Sequence, residues 1–132
     1  MDYKKCLEEI EKTLENLKEE NIFIPVIVEG EKDIVALKKI GISGNIIPIN
    51  SGISLIDFCD KIAREYREII ILTDWDRKGG YLCHTITKNL QGRVNCNTLY
   101  REVLSKNSIT KTVEGLPSWI LKLKERIIKN YE

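Results

Sequence analysis

The chain has 132 residues, 42% hydrophobic and 31% charged, enough for one globular domain with a buried core and too few for two, so residues 1–132 are expected to form a single domain. Lys and Arg number 21 against 20 Asp and Glu, and the net charge of +1 excludes the broad basic field that draws a protein onto nucleic acid or membrane. Any polyanion must therefore be met by a local site. The apolar runs are short (Ile69 to Leu72) and the first residues are charged (Asp2, Lys4, Lys5, Glu8, Glu9), which argues against a spanning helix or signal peptide and predicts a cytoplasmic protein without a membrane partner. Cys6, Cys59, Cys83 and Cys96 are far apart with no CxxC pair, so they read as reduced thiols rather than a zinc or redox motif. The abundance of isoleucine, lysine and glutamate, with a single glutamine, leans toward a heat-adapted source.

In chain order, residues 2–20 place Tyr3, Cys6, Leu7, Ile10, Leu14 and Leu17 at helical spacing with charge on the other face. Ile22 to Val28 reads as a strand covered on both faces, and Pro25 requires that it lie at an edge or begin late. Residues 31–40 are helical, with Ile34, Leu37 and Ile40 inward and Gly41 as the stop. Asn45 to Ile49 is a short strand, and Ser54 caps a helix to about Glu68. Ile69 to Thr73 is a buried strand, the DWDRKGG segment a turn, Gly80 to Leu90 a helix and RVNCNTL a fourth strand. Residues 116–131 form a last amphipathic helix, with Pro117 in its first turn and Trp119, Ile120, Leu123, Ile127 and Ile128 inward. This alternation predicts right-handed βαβ units and an α/β fold of three layers, α/β/α, around a four-stranded parallel sheet, with extra helices at both ends.

Ligands of parallel α/β sheets bind at the carboxyl ends of the strands. Two of those ends are acidic here: Glu29-Gly30-Glu31-Lys32-Asp33 and Asp74-Trp75-Asp76-Arg77-Lys78-Gly79-Gly80. If the second begins extended, Asp74 and Asp76 share one side and Trp75 points to the other. Carboxylates that converge in this way suit a hard divalent cation, and Mg²⁺ typically takes one or two of them with several waters. A single DxD would be read as an ordinary helix cap, but two acidic ends, each on an apolar strand and each followed by glycine, favour a site. Gly30, Gly79 and Gly80 then read as turn glycines that allow close backbone approach.

VIVEG with Asp33 four residues after Glu29, followed by ILTDWDRKGG, resembles the two motifs of the Toprim domain, the catalytic module of topoisomerases, primases and certain nucleases. The similarity spans about residues 22–100 and looks closest to small archaeal Toprim proteins and to the Toprim nuclease that matures 5S ribosomal RNA. It implies a Rossmann-like parallel sheet, Glu29 as general acid or base, and Mg²⁺ (or Mn²⁺) held by Asp74 and Asp76 with Glu29 beside them. Asp33 is expected to support the site. For these acids to meet, the first and third strands must be neighbours, which predicts the order 2-1-3-4. Larger relatives carry a tyrosine nucleophile, a zinc module or an ATPase for which 132 residues leave no room, so a bare core is expected.

Lys32, Arg77 and Lys78 flank the acids and are candidates to bind phosphate or nucleic acid. Trp75 reads as core packing rather than a base-stacking platform, and His84 has no metal-type partner at i+3 or i+4. Glu114 is expected in a turn before the last helix, and Tyr100 and Arg101 could line a groove beyond the fourth strand. The leading expectation is a Mg²⁺-dependent protein acting on phosphodiester bonds of RNA or DNA by nuclease-like or nucleotidyl-transfer chemistry. The alternative is a non-catalytic, metal-dependent nucleic-acid- or nucleotide-binding subunit, with a protein partner supplying substrate binding. A receiver- or phosphatase-like domain fits less well, because Glu29-Gly30 ends the first strand and no threonine follows the DxD.

Overall fold

The computed structural model describes residues 1–131. In chain order the elements are α1 (Tyr3–Glu20), β1 (Val26–Val28), α2 (Glu31–Lys39), β2 (Ile46–Pro48), α3 (Leu55–Glu65), β3 (Glu68–Ile71), α4 (Arg77–Leu90), β4 (Asn95–Asn97), α5 (Leu99–Lys106) and α6 (Leu116–Tyr131). The four strands form a parallel sheet in the order β2-β1-β3-β4, as the meeting of the acids required.

The sheet divides the core by the two-residue period of its strands. Val26, Val28, Ile70 and Leu72 face the layer of α1, α2, α5 and α6, whereas Ile27, Ile69 and Ile71 face Phe58, Cys59 and Ile62 of α3 and Cys83, Ile86 and Leu90 of α4. Every one of these strand side chains is fully buried, which is why the central strands read as unbroken β-branched runs. Pro25 resolves its two options in favour of a late start: β1 is central, and the proline, which has no N–H to give, accepts from the Ile70 amide at 2.9 Å. Gly41 ends α2 with φ +94°, a conformation that side chains resist.

Several boundaries differ from the sequence reading. α3 stops at Glu65, because Tyr66 turns extended and Glu68 already pairs with Asn95 in the ladder. α4 starts at Arg77, three residues early, because the Asp76 carboxylate caps the Gly79 amide at 2.7 Å. Gly79 and Gly80 are thus helical and not turn residues, and Gly30 is the extended N-cap of α2. α5 was not foreseen, although Tyr100, Val103 and Leu104 follow at helical spacing; Thr98 at its N-cap makes no side-chain bond, and the Asn97 side chain accepts the Leu99 N–H at 2.9 Å instead. Ile128, expected inward, is 59% exposed, since α6 outruns the core and its Arg126 instead meets the Tyr3 hydroxyl of α1. Among the described residues no helix is long and apolar enough to cross a membrane.

Candidate metal centre

Glu29 leaves the end of β1 and Asp74 and Asp76 follow β3, so the adjacency of these strands brings three acids from two distant stretches of sequence to one place. One carboxylate oxygen from each lies within 4.8 Å of the others. All three residues are half-buried.

Each acid is aimed by a backbone amide. Asp74 N–H donates to Glu29 Oε2 at 2.8 Å, Val113 N–H to Asp74 Oδ1 at 2.8 Å, and Gly79 N–H to Asp76 Oδ1 at 2.7 Å. The Asp74 and Glu29 carboxyls also meet side chain to side chain, and among the described residues none of the three acids forms a salt bridge. The result is a set of hard oxygen donors with uncompensated negative charge. Burial, joined by the charges of Glu29 and Asp76, pushes the Asp74 pKa from its ordinary 3.8 up to about 6 against the opposing Val113 N–H bond. A divalent cation would relieve that repulsion, and carboxylate oxygens of this type suit Mg²⁺ or Mn²⁺.

Asp33 sits beneath the first loop, 7% exposed, and its Oδ2 accepts the Gly30 N–H at 3.1 Å, closing the turn that carries Glu29. Burial raises its pKa, the Gly30 bond lowers it, and the Asp74 charge raises it again. The backbone of Glu29 is tied to the neighbouring strand's end by the Asn50 amide, which donates to its carbonyl at 3.0 Å.

The second loop is held from much farther along the chain. Arg101 Nε donates to the Thr73 carbonyl at 3.0 Å and its terminal nitrogen to the Asp74 carbonyl at 2.7 Å. Trp75 N–H donates to the Lys111 carbonyl at 2.9 Å and its indole Nε1–H to the Thr110 carbonyl at 2.6 Å. The segment after α5 therefore straps the DxD from outside. From inside, the buried Thr73 hydroxyl donates to the Gly79 carbonyl at 2.8 Å, and a Cβ at Gly79 would overlap the Asp74 carbonyl oxygen. Gly79 is needed for close approach of its own helix to the loop. Gly30 and Gly80 meet nothing closer than 3.8 Å.

The remaining candidates separate clearly. Lys32, Arg77 and Lys78 are exposed in the first turns of α2 and α4, not joined to the acids by any ion pair among the described residues. Trp75 packs against the core, as expected, and Glu114 lies in the turn before α6. Tyr100 does not face the acid cluster: it is 9% exposed, packed in the core beside α1 where it borders a shallow groove with Lys12 and Asn16, and burial together with Glu20 disfavours ionisation of its phenol. Val113 is a support that sequence reasoning missed, and Arg101, expected only as a groove residue, acts instead by capping the loop's carbonyls. A lone arginine after a strand carries no mark of the carbonyls it will cap, and a main-chain donor is invisible in residue type.

Residues 25–106 match the Toprim domain family. The chain is 41% identical over 102 residues to a UPF0292 protein of Thermoplasma volcanium, covering 76% of this chain and 86% of that one. It is 37% identical over 130 residues to a UPF0292 protein of Methanosarcina barkeri, covering 92% and 87% of the two chains. A solved structure of a protein from Aquifex aeolicus superposes with a TM-score of 0.68 at 25% identity, over 79% of this chain and 94% of that one. With its paired acidic strand ends brought together as that family's motifs imply, the chain belongs to the Toprim family.

Proposed function

We propose that the protein is a cytoplasmic, Mg²⁺-dependent processor of phosphodiester bonds in RNA or DNA. The observation that carries this reading is the convergence of Glu29, Asp74 and Asp76, each with one oxygen aimed by a backbone amide. Asp74 and Asp76 would hold the metal, with Glu29 at its margin. Mg²⁺ bound there would neutralise charge developing on the phosphate.

The chain's own residues supply the rest. Glu29 Oε2 is engaged by the Asp74 amide, so Oε1 is the atom that takes the proton from the attacking oxygen or returns one to the leaving oxygen. Asp33 fixes the turn from which Glu29 projects. Lys32, Arg77 and Lys78 stand in the first turns of the two flanking helices, where their cations and the helix N-termini favour phosphate.

The test is a cleavage assay on single- and double-stranded RNA and DNA with Mg²⁺ and with chelator. Metal-dependent cleavage of at least one substrate is expected, and Glu29→Gln, which keeps shape but cannot accept the proton, should slow it by about 10² to 10⁴. Full activity in Glu29→Gln would refute the assignment. Metal-dependent binding without cleavage of any substrate would establish the non-catalytic subunit instead.

A further inference from the structure

We infer that the solvent face of α4 is a track for single-stranded nucleic acid leading away from the acid cluster. This rests on the proposed action on nucleic acid and adds the strand form and its path. Arg77, Tyr81, His84 and Lys88 follow one another at steps of four, three and four residues, and all four are exposed. Those steps align them in one stripe about 16 Å long, at 1.5 Å of rise per residue. The opposite face carries Gly79, Cys83, Ile86 and Leu90, all buried against the sheet, so the stripe faces away from the core.

Among the described helices α4 alone carries cations and no acid, although α6 in the opposite layer, with Lys122, Lys124, Arg126 and Lys129 against Glu125, has the same net charge. α4 contains Arg77, Lys78 and Lys88 and no acid, while the chain as a whole is only +1, so the rest of the molecule is net acidic. On the adjacent α3, Asp60 is engaged by Arg93 at 3.2 Å. A polyanion thus meets on α4 the local complement that the whole-chain charge denies it.

The aromatic residue decides between strand forms. Tyr81 is 65% exposed one turn beyond Arg77, a position in which its ring gains nothing from the core. A free ring face between cations suits an unpaired base, which can stack on it, whereas a duplex keeps its bases stacked inside. Continuity with the site is direct: the helix that bears the stripe is capped by Asp76 and begins one residue after it. Gly80, beside Arg101 and with room for a Cβ, leaves the first turn low where a strand would pass.

The experiment is fluorescence anisotropy on labelled oligouridylate and oligothymidylate of about 12 nucleotides and a duplex of equal length. The full chain carrying Glu29→Gln is used, so that binding is read without cleavage. Single strands should bind more tightly than the duplex. Tyr81→Ala should weaken single-strand binding about tenfold with its salt slope unchanged, and Tyr81→Phe should restore it. Lys88→Ala should weaken binding and lower the slope of log K against log salt by about 0.7. Lys124→Ala, in the opposite helical layer, should change neither. Wild-type affinity in both Tyr81→Ala and Lys88→Ala, or preference for the duplex, overturns the track while leaving the proposed function standing. Failure of the parent chain to bind any of the three removes both.

Discussion

The two loops that meet at the acid cluster are built in opposite ways. The Glu29 loop is mostly local: Asp33, four residues on, closes the Gly30 turn, and one amide from the next strand's end secures the backbone. The Asp74 loop depends on partners 27 to 39 residues later, at Arg101, Thr110, Lys111 and Val113, and on the close approach of Gly79. One loop can reach its shape as soon as its turn forms, whereas the other is shaped only when α5 and the segment after it have docked. The geometry of the acid cluster therefore answers to residues that carry none of its chemistry.

The sharpest way to break this contrast is through its glycines. Gly79→Ala places a methyl group on the Asp74 carbonyl and should cost about 3 kcal/mol in urea denaturation, as overpacking does when neither side can give. Gly80→Ala, one residue away with free space, should gain about 0.5 to 1 kcal/mol from helix propensity. Equal effects of the two would deny that the loop is gripped from within.

Removing the distant support is the next largest change. Arg101→Ala strips two carbonyls of a charged donor and should cost about 2 kcal/mol, with weaker Mn²⁺ binding by calorimetry because Asp74 loses its placement. Asp33→Ala on the other side should cost about 1 kcal/mol, the usual value of a helix cap, with a smaller change in Mn²⁺ affinity. A larger metal defect in the Asp33 variant would reverse the contrast.

The smallest effect concerns pH. The folded protein holds the Asp74 proton more tightly than the unfolded chain, with a pKa of about 6 against 3.8. Ionising Asp74 therefore opposes folding: in metal-free protein this group's contribution is most favourable below about pH 4, and it declines as pH rises to about 6 and then stays level. Asp74→Asn keeps an oxygen for the Val113 amide and removes the charge. At pH 7 in chelator it should melt higher by about 3 °C, corresponding to about 1 kcal/mol once solvent screening at this half-buried site is allowed for. The gain should disappear at pH 4.

The same contrast explains what could be read in the amino-acid sequence. The strands were legible because Val26–Val28 and Ile69–Leu72 are apolar on both faces, and the order of the sheet followed once Glu29 and Asp74 had to meet. The convergence of Glu29, Asp74 and Asp76 was legible because acid after an apolar strand is a local pattern. The start of α4 was misplaced because Asp76 was read only as a candidate ligand, although it also caps the helix. The supporting roles of Arg101, Thr110 and Val113 were illegible: two act through backbone atoms, and Arg101, read only as a groove residue, donates to backbone carbonyls that any residue could present.

The central claim is that Glu29, Asp74 and Asp76 together form a divalent-cation site. Isothermal titration of Mn²⁺ into the wild type and into the Asp74→Asn, Asp76→Asn double variant, each verified as folded by circular dichroism, tests it most directly. Saturable binding in the wild type that vanishes in the double variant is the predicted result. Undiminished Mn²⁺ affinity in the folded double variant would contradict it.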